Sequence, residues 1–183
     1  MMEIIIIYDS YFGNTLKVAE MFQSEFATGN YHALIKHCGQ ASLEDIQRSK
    51  LVLLGSPTRG FRESPAMMSF LKRKDICLKD KRVFAFDTRI SIIDIKSKLL
   101  RRLMKRFGYA ATNMEKRLKK NGVEVVMPAT GYPVVSVEGP LKSEVASMIE
   151  NDAQRLLSAL YGSDTLGGYP DVQTTTSAES FKT

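Results

Sequence analysis

Glu3-Ile4-Ile5-Ile6-Ile7-Tyr8-Asp9-Ser10-Tyr11-Phe12-Gly13-Asn14-Thr15-Leu16-Lys17-Val18-Ala19-Glu20 is the stretch whose reading decides the fold. Four consecutive β-branched isoleucines predict a strand buried on both faces, as in the middle of a parallel sheet. The apolar run stops at a polar turn, Asp9 to Thr15. Leu16, Ala19, Phe22 and Phe26 then recur at helical spacing and give one apolar face. Strand, turn and helix in that order aim free backbone N–H groups and a helix dipole at one point, which suits a phosphate. The turn holds no lysine or arginine, so a phosphate there would rest on backbone N–H groups and the hydroxyls of Ser10 and Thr15. It is neither the G-K-[ST] loop of nucleoside triphosphatases nor the G-x-G-x-x-G of dinucleotide folds. Taken alone, it reads equally well as a helix cap (Ser10 or Asn14) beside a turn glycine, Gly13.

Outward from that stretch, strand and helix signals alternate. Tyr31 to His37 is a short candidate strand, and Ser42 before L-E-D-I predicts a capped helix. Leu51 to Leu54 is a second apolar run, ending in G-S-P-T-R-G-F-R-E-S-P, where Pro65 opens a helix. Arg82 to Phe86 predicts another strand, followed by Asp87-Thr88-Arg89. A helical pattern covers Ala110 to Lys120, Val123 to Met127 is the last clear strand, and Pro128 to Pro140 is punctuated by glycine and proline. A final helix is expected from about Leu141 to Leu160. The fold class is therefore α/β, a parallel sheet with helices on both faces. Right-handed crossovers bring the loops Asp9–Thr15, Ser56–Ser64 and Asp87–Arg89 to one edge of that sheet, around one crevice.

The totals, 183 residues with 44% hydrophobic and 25% charged, suit one domain with a real core. No segment approaches the ~20 apolar residues of a membrane span. Cys38 and Cys77 lack metal or disulfide spacing, and His32 and His37 fall in one short segment, so no metal site is expected. An acidic Glu3 before a short apolar run does not resemble a signal peptide, and the expected setting is a reducing cytoplasm. The net charge of +6 is concentrated: Arg89 to Phe107 carries seven cations and one acid, which accounts for the whole excess. That pattern excludes an evenly basic nucleic-acid-binding surface. The polar stretch 162–183 is expected to be a flexible tail beyond a domain spanning 1–161.

Three loops together resemble the flavodoxin family. Tyr8 to Thr15 is similar to its phosphate loop, Gly55-Ser56-Pro57-Thr58-Arg59-Gly60 to its second flavin loop, and A-F-D-T-R with Gly131 to Leu141 to a bacterial and archaeal branch. The known flavodoxin arrangement comes with the resemblance: a doubly wound five-stranded parallel sheet in order 2-1-3-4-5, with FMN at the switch point. The resemblance implies an FMN phosphate at Ser10, Tyr11, Phe12, Gly13, Asn14 and Thr15. It implies the ring against Pro57, Thr58, Arg59, Gly60 and Phe61 on one side and Asp87, Thr88 and Arg89 on the other. The glycine matching Gly60 turns its carbonyl toward the flavin in the family, which needs a positive φ that glycine tolerates.

The chain departs from the family pattern in several places. Phe12 replaces the usual threonine, and the third loop lacks the usual stacking aromatic, leaving Phe61 first and Tyr109 second as candidates. Arg59, Arg62 and Arg89, partly offset by Glu63 and Asp87, are expected to make the flavin potential less negative than in acidic family members. The segment 90–107 reads as a basic helical insert with Ile92, Ile95, Leu99, Leu103 and Phe107 on one stripe. It suits a core or subunit-interface helix, a docking site for an acidic redox partner, or a helix lying on an anionic membrane. The function implied is FMN-dependent electron transfer, without a catalytic residue of its own. The alternative is an oxidoreductase acting on a quinone or porphyrinogen near a membrane.

Overall fold

The computed structural model describes residues 4–161. The four isoleucines form β1 (Ile4–Tyr8), buried on both faces as their sequence requires. Ile4 and Ile6 point into one core and Ile5 and Ile7 into the other. The chain continues through α1 (Asn14–Thr28), β2 (Ala33–His37), α2 (Leu43–Gln47), β3 (Leu51–Pro57), α3 (Pro65–Phe70) and β4 (Arg82–Arg89). It closes through α4 (Lys98–Phe107), α5 (Ala110–Lys120), β5 (Glu124–Val125), β6 (Thr130–Pro133) and α6 (Val145–Tyr161). The sheet is parallel throughout, in order β2-β1-β3-β4-β5, with β6 also paired to β4.

Helices α1 and α6 cover one face, where Phe22 sits against Phe26, Phe84, Phe86 and Tyr132. Ile46, Met67, Phe70, Met114 and Leu118, from α2, α3 and α5, fill the other face. Helix α4 stands apart, with Met104 its one buried residue.

Several boundaries differ from the sequence reading; β2 starts at Ala33, and β3 runs on to Pro57. Asp87 to Arg89 is not a loop but the end of β4, because β3 on one side and β6 on the other pair there and supply hydrogen-bond partners. The last strand is only Glu124–Val125, and the edge beside β4 is completed by β6, from within the glycine- and proline-punctuated stretch. Helix α4 starts at Lys98, after Ser97 caps it, so Ile92 and Ile95 precede the helix rather than lying on its stripe. Of that expected stripe, Leu99 is 67% and Phe107 50% exposed; buried Met104 and Leu100, itself 40% exposed, line the cavity described below. Helix α6 begins at Val145, four residues later than expected. The segment 162–183 lies outside the described residues.

The short helix α2 is held by a reciprocal cap. Ser42 Oγ accepts from Asp45 N at 3.2 Å, while Ser42 N donates to Asp45 Oδ2 at 2.9 Å. Lys36 Nζ adds an ion pair at 2.8 Å. Burial opposes ionisation of Asp45, but the Lys36 ammonium and the Ser42 donors outweigh it and bring the carboxyl down to about 2. A depressed carboxylate stabilises the fold above its unfolded pKa near 4 and loses that contribution as pH falls toward 2. Asp45→Asn is expected to cost about 1 kcal/mol at pH 7, with the difference from the unsubstituted protein fading between pH 4 and 2 in urea titrations. A pH-independent difference would contradict this.

Candidate functional site

The C-terminal ends of β1, β3 and β4 open onto a cavity of about 450 Å³, within the range of small-molecule and cofactor sites. Ser10, Tyr11, Phe12 and Asn14 line it from the first loop, Pro57 to Phe61 from the second, and Thr88 and Arg89 from the end of β4. The three segments singled out in the sequence thus meet. Gly13, Thr15 and Asp87 are not among the lining residues.

Each of the non-lining residues braces the site. Gly13 is the N-cap of α1 with φ of 80°, a left-handed conformation natural to glycine, and no side chain caps that helix. Thr15 is 1% exposed, and its hydroxyl shares a 2.9 Å hydrogen bond with Thr88 Oγ1, tying the first loop to β4. Asn14 Nδ2 donates to the Glu138 carbonyl at 3.0 Å, so its amide is also engaged. Ser10 differs. Its hydroxyl oxygen is shut off from solvent and has no hydrogen-bond partner among the described residues.

Asp87 is fully buried and accepts from both sides of the Arg89 guanidinium, at 2.7 Å from Nη2 to Oδ2 on one side. The Ala111 N–H donates to it at 2.7 Å. Burial pushes the Asp87 carboxyl above the usual carboxylate range, with Arg89, the Ala111 N–H and Thr58 working against that rise. Gly131 of β6 lies opposite Asp87 in register, and a Cβ there would overlap the Arg89 guanidinium. The outer face of that guanidinium lies 3.8 Å from the Tyr109 ring centroid. Arg89 is therefore a neutralised, fixed cation. Glu63 is likewise committed, buried and paired with Arg117 at 3.2 Å, so it does not offset the flavin-loop arginines as expected. Arg59 and Arg62 have no carboxylate partner among the described residues, and the Arg59 guanidinium sits over the Tyr11 and Phe12 rings at 5.0 and 5.5 Å.

Asp9, His37 and Cys38 bring their ligand atoms within 4.8 Å of one another beside the first loop. The Gly39 N–H donates to His37 Nδ1, which leaves the ring proton on Nε2, where it is donated to Asp9 Oδ1 at 3.0 Å. As folded, this is a hydrogen-bonded pair next to a thiol. Burial, with the nearby Asp9 charge, pushes the Cys38 thiol up to about 11. Cys77 is exposed. Titration with an aromatic disulfide at pH 8 is expected to find one fast thiol, lost in Cys77→Ser, and one that reacts only on unfolding. Two fast thiols would contradict this.

Residues 6–147 match the family model for flavodoxin. The chain belongs to the flavodoxin family. Its members bind FMN and transfer electrons, and this chain is an FMN-binding flavodoxin-like protein of electron transfer. Oxidised Flavodoxin 2 from Bacillus cereus has the same fold, with a TM-score of 0.67 and 20% identity over 85% of this chain and 98% of that one. The rubredoxin oxygen:oxidoreductase of Desulfovibrio gigas is similar at a TM-score of 0.66 and 18% identity. That likeness covers 92% of this chain and 38% of the other. No curated protein matches the chain in sequence.

This flavodoxin's cavity has walls that sequence reasoning missed. Ile95, Leu100 and Met104 come from the basic segment, and Val134 and Val137 from the loop after β6. The four-residue spacing of Leu100 and Met104 was a usable signal, though a register of five apolar residues one step away obscured it. The loop after β6 gave less warning, since only its folding back against Asn14 brings it to the site. Both stacking candidates do line the cavity. The Phe61 ring packs on Phe107 with centroids 5.6 Å apart, and Tyr109 carries the Arg89 guanidinium on one face.

Proposed function

We propose that this flavodoxin carries electrons with FMN seated in the 450 Å³ cavity, its phosphate at Ser10 to Thr15 and its ring between the Thr58–Phe61 turn and the Thr88–Arg89 end of β4. The observation that supports this most is the buried, unpartnered Ser10 hydroxyl beside a helix start that no side chain caps. A buried donor without a partner costs stability, and an anionic oxygen removes that cost. The first-turn N–H groups of α1 and the helix dipole favour the same negative charge. Thr15 and Asn14 brace the loop from behind, and Phe61 and Tyr109 offer aromatic walls to the ring. Bound FMN supplies the redox-active ring that accepts and releases electrons.

A carrier fits better than an enzyme with its own substrate. Among the described residues that line the cavity, none is an acid or histidine placed for proton transfer. The partner we infer is a redox protein with an acidic surface. On α4, helical spacing puts Lys98, Arg102, Lys105 and Arg106 on the arc opposite Leu100 and Met104. Leu100 and Met104 face the cavity, so the cationic arc faces outward, where charge steers association. Two free cysteines suit a reducing cytoplasm.

Titrating FMN with the purified protein tests the reading directly. Flavin fluorescence is expected to be quenched with one site per chain at micromolar levels or below. Ser10→Ala removes one hydrogen bond to a charged group, about 1.5 kcal/mol, and is expected to weaken binding roughly tenfold. Unquenched FMN at those concentrations overturns the assignment, and an unchanged affinity in Ser10→Ala removes Ser10 from it.

A further inference from the structure

The turn from Arg59 to Arg62 is closed by reciprocal backbone hydrogen bonds, Arg59 N to Arg62 O at 3.0 Å and Arg62 N to Arg59 O at 3.2 Å. Both of its central residues are left-handed: Gly60 with φ of 54° and Phe61 with φ of 67°. Two positive φ values in a row define the tightest two-residue turn, which normally takes glycine, asparagine or aspartate. Glycine accepts that conformation freely, but a phenylalanine is strained in it. Something outside the turn must hold Phe61 there.

The holding groups come from one place. Asn113, in the first turns of α5, donates from Nδ2 to the Phe61 carbonyl at 2.8 Å and to the Phe107 carbonyl at 3.3 Å. Phe107 is the last residue of α4, and its ring packs on the Phe61 ring. The Ala110 N–H donates to Thr58 Oγ1 at 2.9 Å, just before the turn. The turn is thus fastened to the α4–α5 junction. Helix α4, in contrast, is lightly seated, with Met104 alone buried and Gly108 left-handed directly after it.

We propose that Asn113 is a positioning residue: it holds the Gly60–Phe61 turn in its left-handed form and, through its second bond to Phe107, makes the shape of that turn depend on where α4 sits. The inference rests on the FMN reading above only in its consequence for the flavin. The clamp itself is made by the chain's own groups. A partner docking on the cationic arc of α4 would therefore be felt at the turn through one amide and one ring contact.

Amide hydrogen exchange on the FMN-free protein separates the two claims. Asn113→Ala is expected to speed exchange at the Arg59 and Arg62 amides at least tenfold while the core of the sheet keeps its protection. Asn113→Asp, of equal size but without the donor, should do the same and serves if the alanine variant does not fold. Phe61→Gly added to either variant should restore protection, because glycine needs no clamp to stay left-handed. In FMN-loaded protein, Asn113→Ala should shift the midpoint potential; the Phe61→Gly rescue is read by exchange in the FMN-free protein, because Phe61 also walls the ring. Unchanged exchange at Arg59 and Arg62 in a folded Asn113 variant overturns the proposal, as does failure of Phe61→Gly to rescue it. Failure of FMN to bind, with the exchange result as expected, overturns the flavin site and leaves the clamp standing.

Discussion

Replacing Arg89 with alanine is expected to lower the unfolding free energy by about 3–5 kcal/mol, the cost of leaving a buried carboxylate without its cation. Asp87 is 0% exposed and receives both sides of the Arg89 guanidinium; without them, the Ala111 N–H and Thr58 are the partners that remain. The carboxyl already lies above the usual range because of burial, so it would respond by taking up a proton. A double variant, Asp87→Ala with Arg89→Ala, leaves no buried charge and is expected to recover much of the loss. That pattern separates a stranded charge from lost packing. Because Arg89 also lines the cavity and rests on Tyr109, FMN affinity should fall along with stability. Urea unfolding with m unchanged is the measurement. A loss under 1 kcal/mol would show that the pair is not what holds the end of β4.

The second large effect is electrical. Arg59→Gln is expected to make the midpoint potential of bound FMN more negative by tens of millivolts. A cation ~7 Å from a developing negative charge is worth roughly 2 kcal/mol at an effective dielectric of 20, or on the order of 100 mV for one electron. Arg59 is exposed, so solvent and salt reduce that ceiling. The charge of Arg89 is offset by Asp87, whereas the Arg59 guanidinium lies over the Tyr11 and Phe12 rings and has no carboxylate partner among the described residues. The shift should shrink as ionic strength rises from 0.05 to 0.5 M. An unchanged potential at low salt would mean that the guanidinium does not act on the flavin.

Much of the architecture could be read from local patterns. Ile4 to Ile7 can be buried only in a strand covered on both sides, and both cores do receive them. Ser42 with Asp45 and Pro65 after Ser64 marked helix starts that the structure reproduces. The meeting of the three segments followed from the handedness of parallel crossovers, and the cavity lies where they meet, although the third is the end of β4 rather than a loop.

The amino-acid sequence by itself determined the alternation of strands and helices, the position of the crevice and the residue types around it, since propensity, burial period and crossover handedness act locally or apply to every parallel sheet. Only the tertiary structure decided which of those residues are free. Thr15 is engaged by Thr88, 73 positions away, and Asn14 by the Glu138 carbonyl, 124 positions away, while Ser10 has no partner among the described residues. Arg89 is neutralised and Arg59 is not. Asp87 belongs to a strand because Ser56 of β3 and Gly131 of β6 pair beside it. These outcomes depend on hydrogen bonds and ion pairs between segments far apart in sequence, and no local periodicity records a partner that chain folding alone brings within 3 Å.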